Sequence, residues 1–251
     1  MTAAILPGAE PFAASNGADG ILVLHGFTGS PHSVRPLGEA FADAGFSVEL
    51  PLLPGHGTSV EDMLGTCFED WSGAAEAAYT SLAARCDRVA VAGLSMGGTL
   101  ALWLAEQHEE IAGLVLVNPL VEPAAESFLE MMRSLLEGGT DRIPGIGSDI
   151  ARPDRAESAY ESTPIEPLIS LFEAVRQVEA ALGSISCPVL LLSSRTDHVV
   201  PTSSGDVVAA GVTGVLERVY LEKSYHVATL DYDQAEIEQR ATEFAQKVFS
   251  S

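Results

Sequence analysis

Short, fully apolar runs alternate with amphipathic stretches along most of the chain, the pattern of βα units that build a mostly parallel sheet. Ile21–Leu24 predicts a buried strand, followed by a turn rich in Gly, Ser and Pro. Val34, Leu37, Phe41 and Ala44 share one face of a helix that stops at Gly45, and Phe46–Leu50 is the next strand, ended by Pro51. Trp71, Ala75, Ala78 and Leu82 recur at helical spacing. Arg88–Ala92 is a strand, Gly97–Gln107 a helix with Leu100, Trp103 and Leu104 inward, and Leu114–Val117 a strand stopped by Asn118-Pro119. After an interruption the alternation resumes with a helix near Leu168–Leu182 and strands at Val189–Ser193 and near Leu216–Leu221. A last helix carries Ile237, Ala241, Phe244 and Val248 on one face.

The interruption runs from Pro119 to Pro167. An amphipathic helix around Phe128–Leu136 gives way to a stretch rich in Gly, Pro, Asp and Arg with no convincing strand. Inserted between two strand–helix units, it reads as a small helical and irregular cap over the sheet. The expected division is an α/β core of residues 1–118 and 168–251, with residues 119–167 as the cap.

Size and charge narrow the setting. A chain of 251 residues suits one α/β domain with a sizeable core. No stretch approaches the roughly 20 uninterrupted apolar residues of a membrane helix, so no stable membrane insertion is expected, and at most transient contact with lipid aggregates. Met1 to Ala14 has no basic residue ahead of its short apolar stretch, unlike a signal peptide. Cys67, Cys86 and Cys187 are odd in number and widely spaced, which predicts reduced, buried thiols in a cytoplasmic protein rather than a disulfide framework or zinc site. Thirteen basic residues against 35 acidic ones give −22, a surface that repels nucleic acid and anionic membranes. Composition sets no oligomeric state.

The chemistry starts at Gly93-Leu94-Ser95-Met96-Gly97, a G-x-S-x-G placed between a strand and a helix. There a sharp turn can hold a serine in a strained conformation with its hydroxyl above the sheet, and the flanking glycines leave room for the turn. A serine hydroxyl is a weak nucleophile until a base takes its proton. With this elbow the chain order is Ser, acid, His, which leaves His198 and His226 of the six histidines. His226 is favoured because it follows the last strand, in a loop at the strands' C-terminal ends, whereas His198 adjoins the best acid. That acid is Asp197, just after Val189–Ser193. Asp141, Asp149 and Asp154 lie in the cap, and Asp206 lies too far past the strand. His25-Gly26-Phe27 follows the first buried strand, and Gly26 lets the chain turn so that the Phe27 amide faces the site. With the amide of Met96 it forms the expected oxyanion hole. His25 and His56 read as braces of their own loops. Motifs for metal or nucleotide chemistry (H-E-x-x-H, G-x-G-x-x-G, a P-loop) do not occur.

Taken together, L-H-G-F-T-G-S-P (Leu24–Pro31), L-P-G-H-G (Leu53–Gly57), G-L-S-M-G-G (Gly93–Gly98), D-H-V-V-P (Asp197–Pro201) and S-Y-H-V-A-T-L-D-Y-D (Ser224–Asp233) are far more specific than any one motif. The set resembles the bacterial monoacylglycerol lipases and carboxylesterases of the α/β-hydrolase superfamily, from the first strand to the last helix. Ile146–Ile150 and Pro153–Glu157 in the cap are similar to those of the small thermostable monoacylglycerol lipases. The resemblance implies an α/β-hydrolase fold and no cofactor. It implies a small-molecule lipid ester as substrate, the monoester of glycerol and a fatty acid. It also implies a Ser95, Asp197, His226 triad, an acidic Glu157 that hydrogen-bonds the glycerol hydroxyls, and an Ile146 that shapes the pocket. The apolar cap residues Phe128, Leu129, Met131, Met132 and Leu135 would shelter the acyl chain. A general short- or medium-chain carboxylesterase or thioesterase uses the same machinery, and a ligand sensor without turnover can keep the fold.

Overall fold

Alternate residues of the central strands feed two separate apolar layers, one on each face of the sheet. The computed structural model describes residues 4–250, so the reading of Met1–Ala14 as no leader lies, for residues 1–3, outside the described residues. The strands are β1 (Phe12–Ala14), β2 (Asp19–Leu24), β3 (Ser47–Leu50), β4 (Arg88–Leu94), β5 (Leu114–Val117), β6 (Arg142–Pro144), β7 (Ser162–Pro164), β8 (Val189–Ser194) and β9 (Leu216–Leu221). The helices are α1 (Arg35–Asp43), α2 (Val60–Met63), α3 (Phe68–Ala83), α4 (Met96–Gln107), α5 (Glu126–Glu137), α6 (Ile165–Ala181), α7 (Ser204–Gly211) and α8 (Gln234–Phe249). The main sheet runs β1-β3-β2-β4-β5-β8-β9. Only β1 is antiparallel, with Phe12 opposite Leu50. The parallel register sets Ile21 beside Ala90, Val91 beside Leu114, Leu114 beside Val189 and Val189 beside Leu216.

Leu22, Leu24, Val89, Val91, Leu114, Leu116, Val189 and Leu191 face one layer, built with α3, α4, α6 and α7. Ile21, Val23, Ala90, Ala92, Val115, Val117, Leu190 and Leu192 face the other, built with α1 and α8. Strands buried on both faces must be apolar throughout, which is why their runs show no alternation in the sequence. Trp71 is wholly buried in the first layer and donates from its indole nitrogen to the Pro54 carbonyl at 3.1 Å. Among the described residues no helix is long and apolar enough to cross a membrane.

Between β5 and α6 the chain departs from the expectation of an irregular stretch after one helix. α5 forms as expected, and Met132 packs with Phe128, Leu135, Ile165 and Ile169. Met131 instead turns to solvent, 51% exposed, so it shelters nothing. The strand-free reading is overturned by a two-stranded antiparallel ribbon, β6 with β7, pairing Arg142 to Pro164 and Ile143 to Thr163. Three-residue strands show no period, and Pro144 and Pro164 argue against strand; both sit at strand ends, where their missing N–H costs nothing. α6 begins at Ile165, so the division at 167/168 falls inside its first turn, where Pro167 is tolerated. The three cysteines are free but only partly buried, not buried as expected.

Candidate active site

Because β3, β2, β4, β5, β8 and β9 run parallel, the loops after β2, β4, β5, β8 and β9 leave the sheet at one edge, where open α/β sheets place their sites. Ser95 stands in the turn between β4 and α4 with φ 57° and ψ −120°. That conformation costs a non-glycine residue about 1–3 kcal/mol. Backbone bonds hold it: the Ser95 amide donates to the Val117 carbonyl at 3.0 Å, and the Gly98 amide donates to the Ser95 carbonyl at 2.8 Å. At roughly 1 kcal/mol net each, such bonds offset most of the strain. The flanking glycines are required sterically: a Cβ on Gly93 would lie 2.1 Å from the Gly97 carbonyl oxygen, and one on Gly97 would lie 2.0 Å from that of Leu24.

Asp197 and His226 come together as the strand order predicts. His226 Nδ1 lies 2.8 Å from Asp197 Oδ2, with both side chains buried. The other carboxylate oxygen accepts from the amides of Val199 at 2.9 Å and Val200 at 2.8 Å. A carboxylate only accepts, so Nδ1 carries the ring proton and Nε2 keeps a free lone pair, the state a general base needs. Ser95 and His226 line one cavity of about 330 Å³. Gly26, Phe27 and Thr28 line it too, and a Cβ on Gly26 would approach that of Ser95 to 3.3 Å. Gly26 is thus needed for close approach; the left-handed residue of this loop is Thr28, at φ 60°. Met96 is the first residue of α4, where a backbone amide has no carbonyl four residues back within the helix and can face a developing oxyanion.

His25 and His56 brace their loops. His25 Nδ1 lies 3.0 Å from the Gly26 carbonyl, while Nε2 accepts from the Leu53 amide at 3.2 Å, which fixes a neutral tautomer. Burial lowers its pKa to about 4. His56 bonds the Pro54 carbonyl through Nδ1 at 2.9 Å, and burial lowers its pKa to about 3. His198 is exposed and pairs with Asp149. Of the rejected acids, Asp141 and Asp154 pair with Arg142 and Arg152, and Asp206 in α7 pairs with Arg218.

Glu157 and Ile146 both line the cavity, Ile146 from its exposed rim at 66% accessible. The Glu157 carboxyl sits so close to Gly29 that a Cβ there would lie 2.7 Å from its Oε1. Burial pushes its pKa up to about 7, against the opposing pull of His226 and a hydrogen bond to Ser33. A carboxyl whose native pKa is raised holds its proton in the fold while the unfolded chain releases it, so stability falls as pH rises between about 4.5 and 7. Glu157→Gln removes this loss. Its thermal midpoint relative to wild type is expected to climb over that interval and level off above it, which melting curves in a buffer series will show.

The sequence assigns no role to three further residues of the site. Asn118, at φ 43°, donates to the His226 carbonyl at 2.8 Å and accepts from the Ser194 amide at 2.7 Å, tying the ends of β5 and β8 to the histidine loop. Asp149 and Asp231 join that loop to the segment between β6 and β7. Each looks like a turn residue in sequence, and the only signal at Asn118 is its position directly after a buried strand.

The family described as serine aminopeptidase S33 matches residues 18–233. A thermostable monoacylglycerol lipase of Bacillus sp. (strain H-257) is 47% identical over 97% of this chain and 96% of its own. A carboxylesterase of Bacillus subtilis (strain 168) is 28% identical over 95% and 97%. A solved structure from work on LipS and LipT, two metagenome-derived lipolytic enzymes, superposes with a TM-score of 0.93 at 40% identity, covering 97% of this chain and all (100%) of that one. Other solved structures, a monoacylglycerol lipase of Paleococcus ferrophilus among them (TM-score 0.76, 17% identity, 95% of this chain and 99% of that one), share the fold. The chain has the α/β-hydrolase fold and belongs to the serine aminopeptidase S33 family of hydrolases.

Proposed function

We propose that the protein is a carboxylic ester hydrolase that cleaves monoacylglycerols to glycerol and a free fatty acid, with Ser95 as nucleophile, His226 as base and Asp197 as its orienting acid. The observation that carries this reading is one cavity lined by Ser95, by His226 and by a mostly apolar wall that includes Leu120, Phe128, Leu171 and Phe172, with Glu157 as a polar group among them. The relatives named above a lipase and an esterase support it. His226 Nε2 takes the Ser95 proton as Oγ attacks the ester carbonyl. The Phe27 and Met96 amides stabilise the oxyanion, and the imidazolium then gives its proton to the departing glycerol oxygen. Water deprotonated by His226 attacks the acyl-serine, and the fatty acid leaves as Ser95 regains its proton. Residues 119–167 act as the cap that shapes the acyl site, and Glu157 binds the glycerol hydroxyls. The three free thiols fit a reducing cytoplasmic setting.

The test compares kcat/KM on monoacylglycerols, di- and triacylglycerols, simple alkyl esters, acyl-thioesters and aminoacyl anilides. Monoacylglycerols are expected to lead by at least about tenfold, the worth of one net hydrogen bond to a glycerol hydroxyl. Equal rates on alkyl esters or thioesters would assign a general esterase or thioesterase, and faster anilide cleavage a peptidase. One acyl equivalent released and then no turnover would assign a ligand sensor.

A further inference from the structure

Asp149 lies on the cap segment, yet its hydrogen bonds go to the two loops that carry the acid and the base. Its Oδ2 accepts from the backbone amide of His226 at 3.0 Å and from that of His198, the residue after Asp197, at 3.2 Å. Its Oδ1 accepts from His198 Nδ1 at 2.8 Å. Its own carbonyl accepts from the Val227 amide at 3.1 Å. The side chain is 13% exposed and borders the cavity that holds Ser95.

A second carboxylate makes the reciprocal join. Asp231, fully buried, accepts from the amides of Ala151 at 2.7 Å and Arg152 at 3.1 Å, and from that of Tyr225 at 2.9 Å. Between the two carboxylates, Ile150 packs into the core layer under α1 and α8. Residues 149–152 are therefore stitched to residues 225–231 from both sides, and His226 lies inside the stitched stretch. Hydrogen bonds from backbone amides to a carboxylate are worth more than neutral ones, and here they are made where the base leaves the sheet.

We propose that Asp149 is a positioning residue for catalysis: its carboxylate fixes the His226 and Asp197 loops relative to each other through their backbone amides, so that this part of the cap is a strut of the catalytic base. The inference rests on His226 being the base. Asp149 touches no reacting atom. Its work is to hold the imidazole within the narrow range in which Nε2 reaches Ser95, where a misplacement of 1 Å costs about 10²-fold in rate.

The oxygens assign their tasks separately, and this sets the test. Asp149→Asn can keep an oxygen at the Oδ2 position, retaining both backbone amides, and turn its NH₂ toward His198 Nδ1, which can accept in its other tautomer. Asp149→Glu keeps the charge and moves the oxygens by one methylene. Asp149→Ala removes both. With a soluble ester and the folded fraction measured by near-ultraviolet circular dichroism, kcat should fall about 10²-fold in Asp149→Ala and Asp149→Glu with KM little changed. Asp149→Asn should stay within about fivefold of wild type, and His198→Ala within about threefold, since the exposed His198 ring is only one of the partners. A kcat near wild type in Asp149→Ala overturns the proposal. So does a loss in Asp149→Asn with Asp149→Glu spared, which would make charge, not the placement of the oxygens, the operative property. If Asp149→Ala does not fold, the contrast between Asn and Glu decides. His226→Ala, measured alongside, separates the two readings: full activity there removes the assigned base itself, whatever the Asp149 variants do.

Discussion

Ser95→Ala is expected to abolish ester hydrolysis, lowering kcat by a factor on the order of 10⁶ while leaving the fold and its melting temperature in place. Alanine is no larger than serine at Cβ, so the contact with Gly26 is unchanged and the strained backbone at φ 57° is held by the same bonds to Val117 and Gly98. What disappears is the one oxygen that can form the acyl-enzyme. The oxyanion amides and the cavity remain and leave a residual advantage over water of roughly 10³–10⁴. A fluorophosphonate probe should label the wild type once and the variant not at all. Turnover within about 10²-fold of wild type would mean that water, not Ser95, attacks the ester, and the two-step mechanism would fall.

The parts that were legible in the chain are those whose physics is local. β2, β4, β5 and β8 are buried on both faces and so announce themselves as unbroken apolar runs, and the glycines around Ser95 mark a turn too tight for Cβ atoms. The order of strands then places Asp197 and His226, because parallel strands deliver their following loops to one edge. β1 and α2 were not legible, since three or four residues carry no measurable period. α7, with Ser, Gly, Val and Ala, has too weak a contrast between its faces, although it contains Asp206, which the chain order alone could only set aside. The ribbon β6–β7 is set by tertiary packing against two prolines that argue for a loop.

At the site, the reacting groups were legible and their supports were not. Asn118, Asp149 and Asp231 work by accepting or donating to backbone groups far along the chain, and a backbone amide has no sequence signature. An Asx residue in a loop is most simply read as a turn former. Glu157 needed the structure in another way: its place in the cap suggests a solvated carboxylate, while its enclosure beside Gly29 and Ser33 is what raises its pKa to about 7.

Asp197→Asn separates orientation from shape most sharply, because the structure dictates how the amide must sit. Asp197 Oδ1 accepts from two backbone amides, of Val199 and Val200, and Oδ2 faces His226 Nδ1. An asparagine that turned its NH₂ toward Val199 and Val200 would lose both bonds and set donors against donors, at a cost of about 1–3 kcal/mol for each unpaired group. It will therefore keep its oxygen there and present NH₂ to the histidine. His226 Nδ1 must then accept, which moves the ring proton to Nε2, the nitrogen that has to take the proton of Ser95. The base is blocked although every heavy atom stays in place. kcat is expected to fall about 10⁴-fold with little change in KM or melting temperature. The proton shift is directly visible as a change of imidazole tautomer in ¹⁵N spectra of His226. Loss of activity without that change would mean that the negative charge of Asp197, stabilising the imidazolium, matters more than the tautomer it selects. Retained activity would remove Asp197 from the triad; Asp149 could not replace it, since its hydrogen bond reaches the His226 backbone and not its ring.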